Sequence, residues 1–143
     1  MNSSSNTTSF ATLTGTYPAV KLTSGLAVNT DTLIVSGATN ASIVLDVLFR
    51  NIDTNARNFD IIICPTSSNT TDYYNRAQIS VPANSGNNGS AALASLASLM
   101  PALFDMDLAG NRVLTLESGI SIYVRNKAAL TADVYVTVKL RSF

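Results

Sequence analysis

Residues 134–140 read Val-Tyr-Val-Thr-Val-Lys-Leu, a strict alternation of aliphatic and polar side chains. Successive side chains of a strand point to opposite faces, so this period of two fits a β-strand with one buried face and is incompatible with an amphipathic helix. The same signal recurs upstream. Ile120, Ile122 and Val124 alternate with Ser121, Tyr123 and Arg125, and Phe59, Ile61 and Ile63 share a face in 59–64. In 42–52 the period places Ile43, Leu45, Val47 and Phe49 on one face, with Val44 and Leu48 beside Asp46 and Arg50 on the other. Shorter runs at 10–16, 31–36, 78–81 and 103–108 complete the set.

Turn-forming residues separate these runs: Asp53 to Asn58, Asn84 to Gly89, Ala109-Gly110-Asn111 and Glu117-Ser118-Gly119. Many short strands divided in this way predict an all-β fold, an antiparallel β-sandwich, jelly-roll-like, of about eight to ten strands. The short links predict hairpins between 42–52 and 59–64 and between 120–125 and 134–140. One helix is expected over 90–100, with Ser90 as N-cap, Leu93, Leu96, Ala97 and Met100 on one stripe, and Pro101 as its limit. The expected core includes Leu45, Val47, Phe59, Ile61, Ile122, Val136 and Val138.

With 143 residues and no internal repeat, the chain reads as one domain, 10–143, preceded by an extended polar arm, 1–9. Only 13% of residues are charged and the net charge is zero. The polarity comes instead from Ser, Thr and Asn, about a third of the chain. No Lys/Arg cluster is present to exchange counterions with a phosphate backbone, so no nucleic-acid partner is expected. No apolar run approaches the roughly 18 residues of a membrane span, and residues 1–10 lack the basic and apolar parts of a signal peptide. Synthesis in a cytoplasm without export by the Sec route is the corresponding expectation.

The composition is also poor in catalytic chemistry. There is no His, the commonest general base and metal ligand, and Cys64 is the only Cys. Following Ile61-Ile62-Ile63, Cys64 is expected to be a buried, inert thiol. Asp105 and Asp107, two apart on a strand, would share a face. That is either a weak Ca²⁺ pair completed by loop carbonyls or a solvated surface, and the absence of EF-hand spacing favours the surface. A two-carboxylate glycosidase has only one Glu, Glu117, and no Trp platform to draw on. No catalytic, cofactor-binding or metal-binding residue is therefore assigned, and the expectation is a protein that is not an enzyme.

The residues best suited to partner binding are Tyr73 and Tyr74, adjacent aromatics in a loop, together with Asn2 and Thr7 of the arm and Phe10 as its apolar anchor. Tyr73 and Tyr74 also fit sugar contact or internal packing. The arm has little to bury in its own domain, so it is expected to order against a neighbouring chain.

The stretch 45–63, LDVLFRNIDTNARNFDIII, has a strand ending in an Asn-containing turn and an Ala-Arg step into the next strand. Residues 107–126 and 132–140 then give a leucine-rich step, a Gly turn and two terminal strands. Over residues 31–143 this layout resembles small β-sandwich virion structural proteins of tailed phages, of the capsid decoration or cement type. The resemblance implies localisation on the outer surface of a phage head, with the major capsid protein as partner. The low charge and the exposed apolar content of the strand faces, such as Val44 and Leu48, predict contact with copies of itself, a trimer before a dimer. The alternative is a tail or head-fibre module that binds host-surface carbohydrate.

Overall fold

The computed structural model describes residues 14–36, 41–66 and 71–142. The arm 1–9, and with it Asn2, Thr7 and Phe10, lies outside the described residues. Among those described, eleven strand segments form two antiparallel sheets. They are β1 (Thr14–Thr16), β2 (Ala19–Leu22), β3 (Asp31–Val35), β4 (Ser42–Asn51), β5 (Arg57–Pro65), β6 (Asn75–Val81), β7 (Ala94–Ser95), β8 (Asp105–Met106), β9 (Arg112–Leu116), β10 (Ile120–Asn126) and β11 (Val134–Ser142).

The larger sheet has the order β1-β11-β4-β9-β8, with β2 also on β11 and β7 also on β4. β1 and β2 run along one side of β11, pairing with 140–142 and 134–137, so they act as one edge strand interrupted at Tyr17-Pro18. The smaller sheet is β3-β10-β5-β6. The chain thus moves from β1/β2 in one sheet to β3 in the other, back to β4, across to β5 and β6, back to β7/β9, across to β10 and back to β11. With β1/β2 and β7/β9 each counted as one interrupted strand, and β8 added at the edge, two sheets crossed in this order make a jelly roll.

This order corrects both expected hairpins. β4 pairs with β11, β9 and β7, while β5 pairs with β10 and β6; β10 pairs with β3 and β5, while β11 pairs with β1, β2 and β4. The links 52–56 and 127–133 are arches between sheets. The cause is that both strands at each link carry an apolar inner face, and facing each other across the core buries both. The Phe49 and Phe59 rings stack there with centroids 5.7 Å apart.

Phe49, Phe59, Ile122, Val134, Val136 and Val138 are fully buried, with Val47, Ile61, Val124, Ile79, Val81 and Leu116 in the same cluster. Complete burial of such a side chain is worth roughly 1.5–3 kcal/mol. Six of the seven expected core residues lie here. Leu45 does not: it is half-buried, Ile43 likewise, and Val44 is fully buried. Lys139 pairs with Asp46 and Leu140 with Val44, leaving Leu45 as an extra residue in β4. A one-residue bulge exchanges the two faces, so the period that holds from Val47 to Asn51 is inverted below Leu45. Val44 is consequently unavailable to a partner, and Leu48 is half-buried opposite Ser95. Val44 therefore cannot be a motive for self-association.

The expected helix is also shorter. Ala94 and Ser95 are taken up as β7 on β4, leaving α1 at Leu96–Leu99, followed by a 3₁₀ turn at Pro101–Leu103. Ser95, not Ser90, is the N-cap, and its hydroxyl accepts from the Ser98 amide at 3.3 Å. Leu96 enters the core, while Leu93 stays exposed. β2 was not foreseen, since four residues with one buried leucine barely carry a period. The turn from β9 to β10 closes as its composition predicts, with Gly119 at φ 77°.

Candidate interaction surfaces

The outer face of the smaller sheet is sealed by its own side chains. Arg125 forks onto Asp31, and Asp60 holds both Arg76 and Lys127. Between these pairs Ile62 lies in register with Tyr123 on one side and Arg76 on the other, and it is fully buried. Cys64, next on that face, is buried too, and burial pushes its thiol pKa up. A protonated, covered sulfur is a poor nucleophile, which matches the sequence reading.

At the edge of this sheet, Tyr73 and Tyr74 lead into β6. The Tyr74 amide donates to the Ile63 carbonyl at 2.8 Å, fixing the loop to β5. Tyr73 is 46% exposed and lies over the Arg76 guanidinium at 5.9 Å; Tyr74 is 69% exposed. Neither is core, so the packing reading of this pair is removed. Two aromatic faces beside a cation can contact a protein or a sugar ring.

The arch between β4 and β5 contains the most perturbed carboxylate. Asp53 is buried, which alone would raise its pKa. The Thr131 hydroxyl at 2.6 Å, the Asn55 amide at 2.9 Å and Arg57 outweigh this and hold it well below the usual carboxylate range. Asn51 supports it from below: its side-chain oxygen accepts from the Asp53 amide, and its NH₂ donates to the carbonyls of Asn55 and Pro82. With these groups turned inward on one another, the cluster stabilises the fold.

On the outer face of the larger sheet a groove of about 540 Å³ opens between β4, β11 and the β8–β9 hairpin. It follows from the bulge. β9 pairs with β4 only at Ser42–Val44, and β7 only at Leu48–Phe49, so among the described residues no strand pairs with β4 between them on that side. β8 pairs with Arg112 and Val113 instead. Ile43, Leu45 and Val113 supply apolar lining, and Arg112, Lys139 and Arg141 supply cations. Two carboxylates are also present. Asp46 accepts from the amides of Val47 and Ala97 and from the Ser95 hydroxyl. Asp107 accepts from the amides of Ala109 and Asn111, which hold its pKa down. Asp107 therefore closes its own turn, while Asp105 sits on exposed β8 away from the groove lining. Sequence reasoning had placed Lys139 and Arg141 on a polar strand face. Their convergence with Arg112 depends on strand pairings that carry no local signal.

Fold and surfaces together define a jelly-roll domain with exposed aromatic and cationic contact regions. No family model and no curated protein matches the chain. Among solved structures it is similar to a chain from a Bacillus endospore appendage structure, described as a novel family of disulfide-linked pili. That likeness has 14% identity and a TM-score of 0.44, over 92% of this chain and 89% of the other. It is also similar to a chain of the Cyanophage Pam1 capsid asymmetric unit, with 22% identity and a TM-score of 0.40, over 92% of this chain and 84% of the other. No helix among the described residues is long and apolar enough to cross a membrane.

Proposed function

We propose that the protein is a non-enzymatic structural component of a virus particle, a decoration or cement protein on the outer surface of a phage head. One observation carries this reading: a jelly-roll strand order with large apolar side chains left exposed, namely Tyr17, Tyr73, Tyr74 and Leu108 in loops and turns and Met106 on β8. Jelly rolls recur in capsid and lectin domains, an argument from fold analogy. Exposed tyrosines and methionines on a weakly charged domain are the composition of contact surfaces. The partners in this reading are the major capsid protein and further copies of the chain, arranged as a trimer before a dimer.

Quantitative mass spectrometry of purified particles encoding the chain tests the proposal. Hundreds of copies per particle are expected, and shells stripped of the protein should rupture at lower temperature. A handful of copies, confined to tails, is the result that removes the head assignment.

The exposed Tyr73-Tyr74 pair favours one second reading, a fibre module that binds host carbohydrate. Tyr73→Ser with Tyr74→Ser should abolish any glycan-array signal in that case. In the decoration reading, the double variant instead loses at least tenfold in affinity for shells of the major capsid protein while its melting temperature is unchanged.

A further inference from the structure

The nine Lys and Arg residues of the chain are not evenly used. Lys21, Arg57, Arg76, Arg125 and Lys127 form ion pairs with carboxylates. Of the other four, Arg50 bonds the Asn87 side chain and lies over the Tyr135 ring at 5.1 Å. The remaining three, Arg112, Lys139 and Arg141, all line the groove beside β4. Lys139 and Arg141 are two apart on β11, so both point outward, and they face the bulged section of β4. Arg112 reaches across from β9 and donates to the Ala97 carbonyl. The carboxylates in the groove already accept hydrogen bonds from backbone amides, Asp46 from Val47 and Ala97, and Asp107 from Ala109 and Asn111 of its own turn. Their oxygens are committed, whereas Lys139 and Arg141 form no ion pair among the described residues.

We propose that this groove is a docking site for an extended, acidic segment of a partner protein, one that alternates carboxylate and aliphatic side chains. Charge complementarity sets the carboxylates against Lys139, Arg141 and Arg112. The lining between them, Ile43, Leu45 and Val113, is aliphatic. A saccharide site would be expected to offer an aromatic platform, and none lines this groove. Nucleic acid would need a longer basic track than three side chains. Ile43 lies in register with Arg141 across β4 and β11, which sets an aliphatic and a cationic side chain side by side, as a segment alternating carboxylate and aliphatic residues requires. The proposal concerns the isolated chain and stands or falls separately from the virion assignment.

The test is fluorescence anisotropy on the purified protein with a labelled (Asp-Val)₄ octapeptide, with (Lys-Val)₄ as the charge-reversed control and an oligogalacturonate as competitor. Saturable one-to-one binding of the acidic peptide is expected, with none of the basic one, and the affinity should fall as salt rises. Lys139→Gln with Arg141→Gln should weaken it at least tenfold. Both side chains project from the outer sheet face, so the melting temperature should stay that of the parent. Arg112→Gln, measured alone, should weaken binding less because Arg112 also bonds Ala97. Equal binding by parent and double variant, or no binding of (Asp-Val)₄, would falsify the proposal. Tighter binding of the oligogalacturonate with the same charge dependence would overturn it in favour of an acidic-saccharide site.

Discussion

Phe59→Ala is expected to lower the free energy of unfolding by about 3–5 kcal/mol, measured by urea denaturation at neutral pH. Phe59 is fully buried and stacks on Phe49 across the two sheets, so its removal leaves a void bounded by both. Neither sheet can collapse into that space without moving β4 or β5, the two strands that carry the arch. Partial relaxation is what makes such deletions cost more than the transfer of the lost atoms alone. Phe59→Leu keeps much of the volume and should cost clearly less. A loss below 1 kcal/mol for the alanine variant would mean that Phe59 does not span the sheets.

Asp53→Ala is expected to be comparably damaging, about 3–5 kcal/mol, because it leaves the Arg57 guanidinium without its partner in a nearly buried site. Thr131 and Asn55 lose their acceptor at the same time. The pH dependence gives an independent check. The folded pKa of Asp53 lies below its unfolded value of about 3.9. Its contribution is therefore complete above that unfolded value and is lost as pH falls through the folded one. Between pH 4 and pH 2 the parent should lose stability more steeply than the alanine variant, so the two curves converge in acid. Parallel curves over that interval would show that Asp53 titrates normally.

The strands were legible wherever one face meets the core and the other meets solvent, as in β10 and β11. There, alternation reports burial directly. It failed at Leu45, where one extra residue inverted the faces, because a bulge is decided by the partner strand and leaves no mark on the residues themselves. Pairing was illegible for a related reason. A polar link of five residues can close a hairpin or arch between sheets, and the choice rests on what each strand's second edge finds. The helix was over-read because Ala94 and Ser95 suit a helix by composition but were claimed by β4. An asparagine's burial carries no local sequence signal. Asn51 and Asn126 are buried, and Asn126 clasps the carbonyls of Leu26, Ala27 and Ala128 while accepting from the Thr30 amide. Of the interaction surfaces, the tyrosine pair was visible as two adjacent aromatics in a polar loop. The groove was not, since its cations come from β9 and β11 and its opening from the bulge in β4.

β11 is the last strand of the chain and lies in the interior of the larger sheet, with β4 on one side and β1 and β2 on the other. During synthesis, β1, β2 and β4 emerge long before the strand that joins them, and Thr14 waits for Ser142, its partner in register. The larger sheet therefore cannot close until β11 itself has left the exit tunnel. Until then the apolar faces of β4 and β5 have no completed core to enter, and the pairings that remain to be made are distant ones, which form slowly. Closure of this sheet waits for β11, and removing Val134–Ser142 would take away the strand that joins β4 to β1 and β2.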